Sequence, residues 1–575
     1  MPVHNADIAA IFTEIADLLE IEQANPFRIR AYRNAARTLG GLGREVRAML
    51  ERGEDLTELP DIGDDLAAKL REIVDTGRCR MLDKLHQDIP PAVADLLHVH
   101  GLGPKRVRTL WHELDVHSPA QLARAARDGR IAALPGFGAR TEANILQAVE
   151  AHLSKTHRIR LATAAPYADA LIDWLAGAKG VIRVEVAGSF RRMRETVGDL
   201  DILVTARADS DAMQRFVGYD EVAEVLSQGP TRASVILKSG LQVDLRVIEA
   251  AASGAALCYF TGSRAHSIAL RRIAQAKGLK LNEYGLFRDE ARIAGETEAS
   301  VYRALDLPWI APELREDQGE IAAARAGRLP RLVERGDLRG DLHAHTRASD
   351  GHDSLAGMAA AAKAAGLDYL AITEHSRHLT VAHGLDPRRL AEQCDEIDRL
   401  NDELEGIVLL KGIEVDILED GTLDLPDSAL ARLDLVIGAV HSHFDLSRAK
   451  QTERIVRAMD NRYVTLLAHP TGRLIDERAP CDVDMLRLIR HARQRGCFLE
   501  LNAHPARLDL CDRDCRMAKE EGVLVAIDSD AHGRDDFAHL RFGIGQARRG
   551  WLEAADVLNT RPLAALRRLL AGTRG

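Results

Sequence analysis

The chain has 575 residues, too many for one hydrophobic core, so several domains are expected. It is 46% hydrophobic and 29% charged with few aromatics, and no apolar run reaches the length of a membrane-spanning helix. The net charge of −10 excludes a protein held to nucleic acid by bulk positive charge, so any such contact must use local patches.

The charge is unevenly spread. Residues 1–333 carry 44 Lys+Arg against 46 Asp+Glu, whereas residues 334–575 carry 33 against 41. From Ala251 to Asn282 there is no acid, but Arg264, Arg271, Arg272, Lys277 and Lys280 are present. The opening MPVHNADIAAIFTEIADLLE has acids among its apolar positions and does not read as a signal peptide. Seven scattered cysteines fit reduced thiols and a cytoplasmic location; Cys511 and Cys515 lack the second pair of a zinc knuckle.

The first 160 residues read as helices. One pattern recurs there: LPDIGDDLAAKL (59–70), HGLGPKRVRTL (100–110) and LPGFGARTEANIL (134–146). Each is a short apolar–glycine turn that opens a helix and exposes backbone N–H groups where a phosphate can sit. Glycine is also plain turn punctuation, but three copies favour helix-hairpin-helix contact with a DNA backbone. Gly101, Gly103, Lys105, Gly136 and Gly138 are the candidate DNA-binding residues. Asp61 replaces the first glycine of copy one, and an acid there repels phosphate.

Between about 157 and 250 the pattern turns to strands. In VAGSFRRMRETVGDLDILV, Asp199 and Asp201 are two apart and share one face of a strand. Like charges so close need a cation, and two divalent ions about 3.5–4 Å apart would run in-line phosphoryl transfer. LQVDLRVI supplies a third carboxylate, Asp244, on the face opposite its apolar residues. Gly188 and Ser189 would form a tight turn around a triphosphate, with Arg192 as a charge clamp. A lone DxD is more often an ordinary strand edge; the full order GS–RR–GDLD–strand–D is far more specific.

Residues 251–333 return to mixed helix and strand, and IAAARAGRLPRLVERGDLRG (321–340) reads as an exposed linker. Apolar strands then alternate with helices, the signature of a parallel, barrel-like α/β domain. Its strand ends carry His343, His345, Asp350, His375, Glu414, His441, His469, Asp530 and His532. Side chains at the C-terminal ends of such strands converge on one mouth. Six histidines and three acids could hold two or three zinc, manganese or iron ions and hydrolyse phosphoesters. His352, His443 and His504 read as supporting or surface residues.

The segments GSFRRMRETVGDLDILV and LCYFTGSRAHSIALRRIAQAKGLKLNEYGLF resemble the palm and thumb of a family X DNA polymerase, and this likeness extends over nearly all of residues 1–333. It implies that Asp199 and Asp201 bridge two Mg²⁺ or Mn²⁺ ions while Asp244 helps activate the primer 3′-hydroxyl. It implies that Gly188, Ser189 and Arg192 meet the phosphates of a dNTP, that Tyr259, Phe260 and Gly262 pack against its sugar, and that Arg271 faces the template. Arg264 and Ser267 depart from the family residues near the incoming base. NPFRIRAYRNAARTL is similar to the family's small lyase domain, with Lys69 at the Schiff-base position. Such an amine attacks a sugar aldehyde only if its pKa is lowered, and Phe27 and Asp65 depart from the family there.

The series HxH…D, EH, E, H, H, DxH resembles the polymerase-and-histidinol-phosphatase (PHP) domain over residues 337–575, with Glu374 where that family more often has Asp. A polymerase of family X followed by a PHP domain is the bacterial family X arrangement, which implies 3′→5′ exonuclease, 3′-phosphatase or abasic-site endonuclease action. The expected fold is multidomain α+β: helical lyase-like domain 1–90, fingers-like helices 91–157, nucleotidyltransferase palm 158–250, thumb 251–320, linker 321–336, and a distorted α/β PHP barrel 337–575. The expected partners are gapped or primer-template DNA and dNTPs, with no membrane, for a cytoplasmic monomer. Two other readings stay open: another nucleotidyltransferase fused to a small-molecule phosphatase, and a non-catalytic DNA-binding scaffold. The hairpin repeats, the YFTGS segment and the intact carboxylates favour the polymerase.

Overall fold

The computed structural model describes residues 5–574, apart from 23, 43–44, 90–92, 94, 100–101 and 155–157. The chain forms two compact units, 1–158 and 159–575. No helix of the described residues is long and apolar enough to cross a membrane.

The first unit is all helix, and one continuous apolar core runs from Ile8 to Val149. Among the described residues the core continues past residue 90 through Leu85, Ile89, Val93 and Leu96, so the lyase-like and fingers-like halves expected from sequence share an interior. Two of the hairpin turns use one backbone device. Gly136 takes φ 83° before the helix Ala139–Ser154, and Asp61 takes φ 61° before Asp64–Thr76. Asp61 therefore holds the left-handed turn that its missing glycine would have made easily. Gly63 and Gly103 cap the helices Asp64–Thr76 and Pro104–Leu114.

The second unit begins with a five-stranded palm sheet, ordered Val181–Val186, Asp199–Ala206, Gln242–Ile248, Arg232–Leu237, Val222–Gln228. Its core residues Leu200, Ile202, Val204, Val243 and Leu245 share one face, as a period of two requires, while Leu203 on the opposite face packs into a second small cluster with Ala187, Ala256 and Leu257. Two thumb helices, Ser253–Thr261 and Arg264–Ala276, follow.

The PHP region is a ring of parallel strands. Gly340–Asp341, Tyr369–Ile372 and Val408–Lys411 form one sheet; Glu414–Asp416, Ile437–Ala439, Leu466–Leu467, Phe498–Asn502 and Val525–Asp528 form the other. The bridges His375–Glu414 and Ala344–Ala531 join the two sheets into the distorted barrel.

Residues 321–340 are not the exposed linker that their composition suggests. Ala324, Leu332 and Val333 are buried, Leu332 bridges Glu553, and the Val333 N–H donates to the Leu552 carbonyl. The segment is thus fastened at Ala324 and at Leu332–Val333, while residues 325–328 between them are exposed. The PHP domain also enters the palm core directly, through Leu508 and Phe542.

This shared core has a consequence. Phe542→Ala should cost about 3–5 kcal/mol, read as a lower melting temperature together with faster amide exchange in the palm strand Asp199–Ala206. Faster exchange confined to the PHP barrel would contradict the shared core.

Candidate active sites

The palm strands Asp199–Ala206 and Gln242–Ile248 run parallel, and their register pairs Asp201 directly with Asp244. Asp199 lies two residues back on the same face. Burial pushes the pKa of Asp201 up to about 7, helped by the charges of Asp199 and Asp244, while Arg246 and Arg192 pull it down. Three carboxylates brought to one face of neighbouring strands are the donor types that a divalent-metal site would use. The Gln242 amide donates to both oxygens of Asp244 at 3.3 Å and fixes its orientation.

The Gly188 turn closes this pocket from the other side. Gly188 has φ 62°, and a Cβ there would lie 2.3 Å from an oxygen of Asp201. The Ala187 N–H donates to the Asp201 carbonyl at 2.7 Å. Ser189 sits in the same turn, Gly188–Arg191. The turn is tied to the thumb: Glu298 accepts both Arg191 terminal nitrogens at 2.8 Å, and Arg191 also donates to the Thr261 hydroxyl.

Arg192, expected as a phosphate clamp, donates through Nε to Glu316 at 3.0 Å and through Nη1 to the Thr261 carbonyl. Gly262, with φ 69°, passes beside that guanidinium. Tyr259 is exposed, and Phe260 lies under the Arg246 guanidinium, 4.4 Å from ring centroid to Cζ. Arg271 donates to the Ser267 carbonyl one helical turn back.

In the helical unit, Gly103, Lys105, Gly136 and Gly138 are exposed at their turns, and Gly101 lies outside the described residues. Lys69 is paired with Asp65 at 2.5 Å. Burial pulls its pKa down, but Asp65 and Tyr32 outweigh this and leave it raised. That is the reverse of what a Schiff-base amine needs at neutral pH.

All nine PHP residues converge at one mouth. Three overlapping groups have the spacing of metal cages: His345, Asp350, His375 and His532; His343, His345 and Asp530; His375, Glu414 and His441. His469 joins them through Glu414, Nε2 to Oε1 at 2.8 Å. His469 and Asp530 hold positive-φ backbone, φ 25° and 54°, which is uncommon for residues other than glycine. Gly351 passes so close to the His345 backbone that a Cβ would lie at 2.7 Å, which brings the Asp350 loop in.

The donor set suits cations. His345 Nδ1 and His469 Nδ1 are buried without a hydrogen-bond partner, whereas His375 Nδ1 lies 2.7 Å from Glu414 Oε2 and His441 Nε2 lies 3.3 Å from Glu414 Oε1. Burial drives the His345 pKa down to about 3, helped by His532 and His375, and leaves a neutral imidazole ready to ligate. His375 and His532 are opposed by burial but raised to about 10 and 9 by Glu414, Asp350 and Asp530.

Two supporting acids were not singled out in the sequence: Glu500 accepts from His343 Nδ1 at 2.6 Å, and Asp416 pairs with His441 Nδ1 at 2.6 Å. Glu500 lies in FLELN, a strand of the same kind as those that end in ligands, and that was its one signal. Arg507 was missed too; its Nε lies 3.5 Å from Asp530. Glu374 accepts from Thr346, Ser349 and Gln393, so the family's Asp-to-Glu change is absorbed by hydrogen bonds.

Fold and sites together define a nucleotidyl-transferring palm joined to a multi-histidine phosphoesterase barrel. Family models match in four places: a helix-hairpin-helix domain at 3–79, a SAM-like helix-hairpin-helix tandem at 93–151, the DNA polymerase beta thumb at 256–316 and the PHP domain at 341–504. The chain is 37% identical over 98% of both lengths to the DNA polymerase/3′-5′ exonuclease PolX of Bacillus subtilis (strain 168). Its PHP portion is similar to probable phosphatases. One from Thermoanaerobacter sp. (strain X514) is 30% identical over 38% of this chain and 89% of its own length; one from Acetivibrio thermocellus is 31% identical over 38% and 87%. The chain belongs to the family X DNA polymerases, in the form that carries a PHP domain.

Two outcomes follow from this geometry. Gly188→Ala should lower primer extension at least about a hundredfold, because the methyl group enters the Asp201 carboxylate, and should leave hydrolysis at the PHP cage unchanged in a phosphodiesterase assay. Loading the PHP cage should expel protons from His375 and His532. Metal affinity should therefore rise from pH 6 to pH 8, with proton release measured by calorimetry in two buffers of different ionisation heat.

Proposed function

We propose that this protein is a DNA-directed DNA polymerase that fills short gaps during DNA repair. Its PHP domain then acts on DNA ends, above all as a 3′→5′ exonuclease, with 3′-phosphatase or abasic-site endonuclease action as related uses of the same cage. The observation that carries the reading is the pairing of Asp201 with Asp244, with Asp199 beside them and the Gly188 turn pressed against Asp201.

Asp199, Asp201 and Asp244 would hold two Mg²⁺ or Mn²⁺ ions, and the PHP residues two or three Zn²⁺, Mn²⁺ or Fe ions. These ions would supply the charge that stabilises the transferred phosphoryl group in the palm and activates water in the cage.

The chain's own residues would do the rest. Gly188, Ser189 and Arg192 bind the triphosphate of a dNTP. Tyr259, Phe260 and Gly262 support its sugar, and Arg271 faces the template strand. Gly101, Gly103, Lys105, Gly136 and Gly138 grip the DNA backbone through the hairpin turns. In the cage, neutral His345 donates a lone pair, Glu500 and Asp416 orient His343 and His441, and Arg507 holds a phosphate oxygen of the bond to be cleaved. The protein would act as a cytoplasmic monomer. The pairing of Lys69 with Asp65 favours synthesis and trimming over lyase chemistry.

The experiment uses labelled gapped DNA with dNTPs and Mn²⁺. Asp201→Ala should abolish extension, by about a thousandfold or more, and leave 3′ trimming intact; His345→Ala should do the reverse. Loss of both activities from either change, in a protein that remains folded, would refute two separate sites. Extension of RNA in preference to DNA, or efficient hydrolysis of histidinol phosphate, would favour the alternative nucleotidyltransferase fused to a small-molecule phosphatase.

A further inference from the structure

Beside the palm pocket, two arginines from different domains share one carboxylate. Glu316, at the end of the thumb, accepts from Arg192 Nε at 3.0 Å and from Arg549 Nη1 at 2.9 Å, both on Oε1. Arg549 belongs to the PHP helix Leu540–Arg549, and its side chain is only 2% exposed. The same Nη1 also donates to the Arg192 backbone carbonyl at 3.0 Å. At its other edge, Nε and Nη2 donate to Asp512 at 3.0 and 2.7 Å. Next to this contact Met193, with φ 54°, packs on Gly545, where a Cβ would come within 2.4 Å of the Met193 methyl. The turn that forms one wall of the nucleotide pocket thus rests on the PHP domain.

The charges matter more than the contact. Glu316 is buried, which raises its pKa, but Arg549, Arg192 and Arg194 together hold it below the ordinary carboxylate value. A triphosphate that takes the Arg192 guanidinium must draw it away from Glu316. Were Arg192 the carboxylate's sole close partner, that exchange would strand a buried negative charge, which is costly. Arg549 already sits on the same oxygen and stays there when Arg192 leaves.

We propose that Arg549 of the PHP domain is a positioning residue for nucleotide binding in the palm: it neutralises Glu316 and anchors the Arg192 backbone, so that Arg192 is free to turn to the dNTP phosphates. The proposal rests on the reading of Arg192 as a phosphate clamp. It makes the PHP domain a working part of the polymerase site, independent of its own metal cage. The coupling is electrostatic and local, and it needs no change in domain arrangement.

The test is steady-state extension of gapped DNA by the full-length protein, with KM for dNTP and kcat determined separately. Hydrolysis of bis(4-nitrophenyl) phosphate with Mn²⁺ reports the PHP cage. Arg549→Gln should raise KM for dNTP about tenfold, with kcat within about twofold and PHP hydrolysis unchanged. Adding Glu316→Gln should return KM to near the wild-type value, because the carboxylate that traps Arg192 is gone; a merely structural Arg549 would give no such rescue.

An unchanged KM in Arg549→Gln, or a raised KM that Glu316→Gln fails to lower, would overturn the proposal. Should Arg549→Gln lose both activities, Glu316→Gln alone decides. A KM at or below wild type supports the account, and a raised KM overturns it. Arg192→Ala separates the two layers: if it leaves KM unchanged, the reading of Arg192 itself fails; if it raises KM while Arg549→Gln does not, only the role of Arg549 fails.

Discussion

Three carboxylates on two neighbouring parallel strands cannot all carry charge unless something positive sits among them. That constraint organises the palm. The register that pairs Asp201 with Asp244 brings the acids together, and burial with mutual repulsion lifts Asp201 to about 7. Its folded pKa then stands above the ordinary value near 4. Without a cation, the favourable protonated form is lost as pH rises through that window, and the fold gives up stability there. A divalent ion would remove the conflict, so affinity for a metal and the chemistry it permits would come from one arrangement. Gly188 belongs to the same constraint, since nothing larger than hydrogen fits against the Asp201 carboxylate.

The PHP barrel solves a related problem with different donors. Imidazoles stack at its mouth, His345 against His375 and His532 with centroids 4.4 and 4.3 Å apart. Burial keeps His345 neutral, while Asp350, Glu414 and Asp530 hold protons on its neighbours. Acids beneath the ligands, Glu500 and Asp416, fix which ring nitrogen faces inward. The result is a cage in which protons stand where metal ions would bind. The palm acids thus repel one another until a cation joins them, whereas in the cage protonated imidazoles already neutralise the acids and an incoming cation would displace those protons. The two sites are joined by a docking surface in which Phe542 and Leu508 enter the palm core and Arg549 reaches the palm turn.

Much of this was legible in the sequence, because period-two strands and strand-end histidines fix which side chains share a face. Asp199, Asp201, Asp244 and the nine PHP residues were all recognisable from spacing. What spacing cannot reveal is a contact between residues far apart in the chain. Glu316 lies 124 positions from Arg192 and 233 from Arg549, so a guanidinium expected at a phosphate was found shared with a carboxylate. Residues 321–340 are exposed in part, at 325–328, as their composition suggests, but the pairing of Leu332 and Val333 with Glu553 and Leu552 is again a contact between residues far apart in the chain. For Lys69 the motif marked the position, but not the raised pKa that Asp65 and Tyr32 impose against burial. Asp61 is a subtler case, an acid at a glycine position that nevertheless keeps the left-handed turn.

The central claim is that the palm acids oppose one another until a cation joins them. Comparing the thermal stability of Asp244→Asn with that of the unaltered protein at pH 8, in chelator and then in excess Mg²⁺, tests it most directly. In chelator the variant should melt at the higher temperature, because one of three repelling charges is gone. In Mg²⁺ the order should reverse. A variant that melts lower in chelator as well would mean that Asp244 serves the fold rather than a metal, and would contradict the account.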